Sequence, residues 1–405
     1  MTTNGSRKRL SKSMYETGCM AAMWALDRSV SGLNDNIIRD SMIGTISPVS
    51  SAELKKVVED YTGQGMLDGR YVPSFVSDVL NTEDIDTTGE WVVETYKFVL
   101  HGTEIDLCVA CSKEDTEEGL HTSLLKTMIY GLDCIERAVS LVDPEMKEDM
   151  SKYVSVMCLM LDEPRALPEN DGEAIGVEDI NAGVTQFVGE ERHVLIYRKQ
   201  HAHKVLLHEV IHAMDLDSGL YVKDGEDVPD AEADVMTQLN YGSSTDMLNW
   251  HETYTELLAC YWHLFMYVPG NCRMSGLDVR TSRNVLWGKE NARYLEACAT
   301  IVDHHAKALD LNYADYAEED DSTVMKFIAS LEMEEDTHVF SYFIAKAAMW
   351  ARLDKISLIP SEDVEVESFR NALREAVLDP AFWRRVVRSG ASEELTMTAL
   401  EGKTT

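Results

Sequence analysis

At 405 residues with 45% hydrophobic side chains, the chain can bury a sizeable core, which excludes disorder as its main state. Its length allows two or three domains, or one catalytic domain with helical additions. A formal net charge of -34 argues against nucleic acid or an anionic membrane as the main partner.

Residues 1 to 12 read as a flexible basic tail, in which Arg7, Lys8, Arg9 and Lys12 are too few to offset the acidity. From 13 to 85 the spacing is mostly helical, punctuated by Gly and Pro, and Ser51-Ala52-Glu53-Leu54 resembles a capped helix start. Trp91 to Leu100 alternates and is rich in Val, Tyr and Phe. After a turn at His101-Gly102, Glu104 to Cys111 alternates again, which predicts a β-hairpin. Glu117 to Val142 places Leu120, Leu124, Met128, Leu132, Ile135 and Val139 at helical spacing. Tyr153 to Leu161 is a continuous apolar run suited to a buried strand. A loop with Pro164 and Pro168, acidic through Asp179, leads by way of Asn181-Ala182-Gly183-Val184-Thr185 to a short strand from His193 to Arg198.

The next segment carries the chemistry. Val205 to Leu216 consists of helix formers, and inside it stands His208-Glu209-Val210-Ile211-His212. H-E-x-x-H on a helix puts two imidazoles on one face, within reach of one metal ion. Glu209 lies about a third of a turn round, so its carboxylate flanks the metal. Neutral imidazoles suit Zn2+, and a water on zinc loses its proton near neutral pH, with Glu209 placed as general base. The bland alternative is a buried helix with two core histidines. A catalytic zinc takes a third protein ligand. The spacing that would place one six residues after His212 finds Ser218 there, so that route fails.

An acidic loop, Asp224 to Asp234, comes next; it reads first as a solvated loop, and near the cleft it would favour cationic substrates. A second strong helix runs from about Thr245 to Val268 and carries Glu252 and Glu256 at i and i+4. Two like charges on an apolar helix are costly if buried without partners, and a bound cation resolves that cost. Spacing alone does not choose between them. Asp215 is a further candidate to orient a metal-bound imidazole. Oxyanion stabilisers are sought among Tyr221, Tyr241, Tyr254 and His251. Ser275 to Leu309, Asp321 to Ile356 and Glu365 to Val387 read as helices, and 390 to 405 as a flexible tail.

Three pieces together carry a resemblance: Asn181 to Thr185, then Ile196-Tyr197-Arg198-Lys199 with Lys204 to His212, then Glu252-Thr253-Tyr254-Thr255-Glu256. They resemble zinc metallopeptidases encoded by large eukaryotic DNA viruses and some protists, over roughly residues 90 to 270. The resemblance implies a gluzincin-type zinc endopeptidase acting on protein or peptide substrates. It implies Glu252 as third ligand and Glu256 behind a ligating His. It implies an α+β fold, with a zincin-like core (residues 86 to 270) between helical regions at 13 to 85 and 271 to 389. In that arrangement the strand before the metal helix is an edge strand, and Leu195 and Tyr197 would pair with an extended substrate. Where such chains have acidic residues ahead of the metal helix, this one has Gln200-His201-Ala202-His203, which leaves open whether His201 or His203 touches substrate.

No apolar run reaches the length of a membrane span, and the first 30 residues lack a signal-peptide core. The eight cysteines are scattered, and Cys108-Val109-Ala110-Cys111 has no second C-x-x-C. Free thiols suit a reducing compartment, so an intracellular, cytoplasmic protein is expected, in a host cell or virion if viral. Two rival functions stand beside peptide hydrolysis: a catalytically silent zincin-fold peptide binder or virion structural protein, and a zinc hydrolase of a non-peptide amide.

Overall fold

The computed structural model describes residues 42–49, 51–62, 66–67, 72–81, 91–142, 152–222, 227–243, 248–352, 363–392 and 395–400. The expected basic tail, the rest of the region before Met42, and part of the acidic loop lie outside the described residues. The chain is a mixed helix-and-strand protein that divides into two compact units. The first comprises residues 1–163, 182–215 and 265–277, and the second 164–181, 216–264 and 278–405.

The first unit is built on a six-stranded mixed sheet. Its strands are β1 (Met42–Val49), β2 (Trp91–Leu100), β3 (Thr103–Ser112), β4 (Tyr153–Leu161), β5 (Gly183–Val188) and β6 (Glu191–Arg198), in the order β1-β2-β3-β4-β6-β5. The predicted hairpin is β2 with β3, antiparallel in unbroken register from Trp91↔Ser112 to Leu100↔Thr103. β4 pairs in parallel with β3 on one side and β6 on the other. A strand so enclosed is almost wholly apolar, because both faces are covered, and its buried polar side chain, Ser155, donates to the Tyr61 carbonyl.

On one face, helices α1 (Ser51–Tyr61) and α2 (Ser74–Asn81) set Leu54, Val58, Val76 and Leu80 on Val93, Cys108, Met157, Leu159, Leu195 and Tyr197. Two further helices of this unit, α3 (Leu120–Val142) and α4 (Ala202–Ala213), pack on each other. They approach closely at Gly131, where a Cβ would stand 3.0 Å from Leu207 Cδ2.

In this unit the structure departs from the sequence reading in three places. β6 is not an edge strand. It is paired on both sides, parallel to β4 and antiparallel to β5, so Leu195 and Tyr197 belong to the sheet interior. Among the described strands the edge on this side is β5, a strand the sequence masks because its short run begins with Gly183. Met42–Val49 is a strand within a stretch that reads as helical; Gly44 and Pro48 look like breakers, yet Pro48 falls at a register shift on an edge strand, where proline is tolerated.

The second unit is helical: α5 (Asp230–Leu239), the first part of α6 (Trp250–Ser275), α7 (Val279–Ala308), α8 (Asp321–Ser330), α9 (Lys346–Trp350), α10 (Asp363–Val377) and α11 (Pro380–Arg388). A π-helical turn, Phe340–Ala345, leads directly into α9. Residues 395–400, expected as part of a flexible tail, bury Leu395, Thr396, Met397 and Thr398. Among the described residues no helix is long and apolar enough to cross a membrane.

Candidate metal centre

In the first unit, α4 holds the H-E-x-x-H residues, and ten consecutive side chains from Lys204 to Ala213 are buried. A helix buried all round is hydrophobic on every face, which is why its amphipathic signal is weak. His208, Glu209 and His212 are 4%, 5% and 7% exposed. One turn apart, the two imidazoles stand at 73° with their Nε2 atoms 3.0 Å from each other. Two nitrogens held that close need a shared proton or a cation between their lone pairs. Tetrahedral zinc with Zn–N bonds of about 2.0–2.1 Å sets two ligand nitrogens about 3.3 Å apart, so the observed pair fits an ion with little adjustment.

Glu209 is fixed from β5. The Thr185 hydroxyl donates to Glu209 Oε2 at 2.8 Å and also lies 3.1 Å from its main-chain oxygen. The strand comes this near because residue 183 is glycine: a Cβ there would stand 2.9 Å from both Glu209 Oε1 and Val205 Cγ1. In the sequence, Gly183 and Thr185 belong to a motif piece that gives neither of them a role. Their only signal there is a Gly and a Thr two residues apart, on the same strand face.

In the second unit, Glu252 stands in the first turn of α6, 8% exposed. His251 Nε2 lies 3.4 Å and His338 Nε2 4.0 Å from its Oε1. Asn249 Nδ2 lies 3.2 Å from His338 Nδ1. An amide nitrogen only donates, so Nδ1 accepts, and a neutral His338 carries its proton on Nε2, toward Glu252. Tyr221 leans on His251 with ring centroids 4.4 Å apart. Sequence reasoning misses His338: a lone histidine 86 residues after Glu252 gives no signal.

His208, His212 and Glu252 form a buried group that can hold a metal ion, each offering one ligand atom, all within 4.8 Å of one another. Two imidazoles and a carboxylate are the donor set that leaves a fourth position open on zinc.

The other candidates have these partners. Glu256, fully buried, receives Lys346 Nζ at 2.9 Å. Asp215 is ion-paired to Lys152 and, at 3.4 Å, to Arg192. Tyr241 donates its hydroxyl to Glu335 at 3.2 Å; burial pushes that phenol well above its usual pKa. Tyr254 meets Phe369 edge-on, with centroids 5.8 Å apart. His203 lies against α3, its Nδ1 2.9 Å from Thr127 Oγ1. Leu195 and Tyr197 lie in the interior strand described above. Buried Asp217 accepts from Thr255 at 3.2 Å, an anchor for α6 that the sequence does not suggest.

The chain matches no family model, no curated protein and no solved structure.

Proposed function

We propose that this protein is a zinc-dependent peptide hydrolase of gluzincin type, with His208, His212 and Glu252 holding the metal. The observation that carries the reading is the buried three-donor group together with a glutamate, Glu209, clamped beside it by Thr185.

Zinc, when bound, supplies Lewis acidity toward a water molecule and the scissile carbonyl. Glu209 accepts the proton of the attacking water and returns it to the leaving amine. The Thr185 hydroxyl occupies one lone pair of Oε2, so the carboxylate keeps one orientation through both transfers. The Nε2–H of His338, beside Glu252, is a donor suited to a developing oxyanion. Edge strand β5 has no neighbour on its outer side among the described strands, and an extended peptide can add there by main-chain hydrogen bonds. That role passes from the interior β6 to β5.

The test is metal content and cleavage of denatured protein substrates, in the native chain and in Glu209→Gln. The reading expects one zinc per chain in both and hydrolysis only in the native protein. Absence of bound transition metal after reconstitution, or equal hydrolysis by Glu209→Gln, overturns it. Cleavage of small amides but no protein would favour the non-peptide alternative.

A further inference from the structure

Glu252 and Glu256 sit one turn apart on α6, and either could serve as a carboxylate ligand by type. The neighbourhood of Glu256 separates them. Lys346, 0% exposed, directs its Nζ to Glu256 Oε1 at 2.9 Å and to the carbonyl of Met397 at 3.1 Å, and lies 4.3 Å from the centroid of the Tyr294 ring. Those three partners match the three N–H donors of an ammonium. Burial opposes its charge, yet the facing carboxylate of Glu256 keeps its pKa above the ordinary lysine value.

The surroundings hold this lysine in place. The π-helical turn Phe340–Ala345 immediately precedes it. A π turn inserts an extra residue into the helical count and so rotates the residues after it by about one position. His338, just before that turn, faces Glu252, while Lys346, just after it, faces Glu256. The segment 396–399 closes the other side: Thr398 and the Ala399 N–H donate to Glu290 Oε1 at 2.6 and 3.0 Å, and Arg293 reaches Thr396.

We infer that Lys346 is a positioning residue that selects the metal ligand: by holding the Glu256 carboxylate it assigns Glu252, and not Glu256, to the metal. The inference rests on the metal reading proposed above.

The experiment uses the full chain loaded with cobalt(II), whose d–d spectrum reports ligand type and geometry. Native protein, Glu252→Gln, Lys346→Met, Lys346→Arg and the double variant Glu252→Gln/Lys346→Met are compared. Affinity is read by chelator competition and folding by thermal unfolding. Glu252→Gln should weaken cobalt binding by more than about 100-fold, exceeding the loss typical of an outer partner. Lys346→Met should release Glu256, change the cobalt spectrum, and restore at least about tenfold of affinity in the Glu252→Gln background, as a replaced ligand does. Lys346→Arg should keep the native spectrum.

Native protein that binds no cobalt removes the metal reading itself. Native protein that binds, with a double variant no tighter than Glu252→Gln, removes only the selection by Lys346. If Lys346→Met does not fold, Lys346→Gln in the same two backgrounds decides on the same criteria. Failure of both to fold assigns Lys346 to stability alone, against the proposal.

Discussion

The Thr185 hydroxyl has one proton and two acceptors in reach, Glu209 Oε2 at 2.8 Å and the Glu209 carbonyl at 3.1 Å, so one threonine on a sheet edge holds the rotamer of the proposed general base. Thr185→Val removes that bond while keeping the shape. A hydrogen bond to a charged group contributes about 1.5–3 kcal/mol, so kcat should fall roughly 10- to 100-fold. Zinc content should stay native, and Thr185→Ser should recover most of the rate. Stopped assays under saturating substrate decide this; an unchanged kcat would detach Thr185 from Glu209's function.

Gly183→Ala tests the close approach. The added methyl would stand 2.9 Å from Glu209 Oε1 and Val205 Cγ1, and both belong to a buried helix with little room to yield. Overpacking of this kind costs about 1–3 kcal/mol. The unfolding midpoint should drop, and activity should drop further than that loss explains, since β5 is pushed off Glu209. Activity retained in a stable variant would show that the strand and helix can separate harmlessly.

Proline at 195 or 197 should be ruinous. Tyr197 N–H donates to the Ala182 carbonyl at 2.9 Å, and Leu195 pairs with Val184 on one side and Met157 on the other. Proline in an interior strand removes a ladder bond and is found essentially only on edge strands or at bulges. Leu195→Pro and Tyr197→Pro should express poorly and lack a cooperative transition. The same substitution at Phe187, whose N–H faces away from β6 in this register, should be better tolerated by the fold.

Glu335 predicts a pH dependence. Its burial, partly offset by the Phe340 N–H at 2.6 Å and by Tyr241, raises its pKa from 4.5 to about 8. A raised carboxyl pKa means the folded chain holds a proton that the unfolded chain has released. Stability from this group is therefore complete below about pH 4.5, declines as pH rises, and is lost above about pH 8. Urea unfolding of native protein at pH 5.5 and 8.5 should show a larger fall than Glu335→Gln shows over the same interval. Equal falls would mean that Glu335 is ionised in the fold throughout.

His208→Ala and His212→Ala should each abolish stoichiometric zinc while leaving the sheet intact. A bound ion stabilises by mass action, by about 2.7 kcal/mol at a hundredfold excess over Kd. Chelator should thus lower the midpoint of the native protein and leave that of either variant unmoved.

The legible and the illegible parts of the chain divide along physical lines. The run 153–161 is β4 to the residue, because an apolar stretch of that length bounded by polar residues has one good use in a sheet. The imidazole pair of α4 is legible since helical spacing is local. The choice between Glu252 and Glu256 is not, because the discriminating residue, Lys346, is 90 positions away from Glu256. Edge status of β6 is unreadable for a related reason: pairing depends on whether another strand arrives, and β5 arrives through a two-residue turn after a weak, glycine-led segment. Asp215 looks like a partner for a histidine from its place in the helix. Its ion pair with Lys152, made where the backbone is left-handed at φ 56°, joins residues 63 positions apart and leaves no local sign.

The span of the Glu256–Lys346 pair also imposes an order on biosynthesis. Lys346 is translated 90 residues after Glu256. At about 5–20 residues per second, the acid waits roughly 5–20 s for its cation. During that interval burial of α6 would strand an unpaired carboxylate or force its protonation, which favours a hydrated helix. Met397, a further 51 positions on, completes the shell around the lysine later still. Slow codons or low temperature during that window should therefore shift the yield of soluble protein more than the same changes imposed before residue 250.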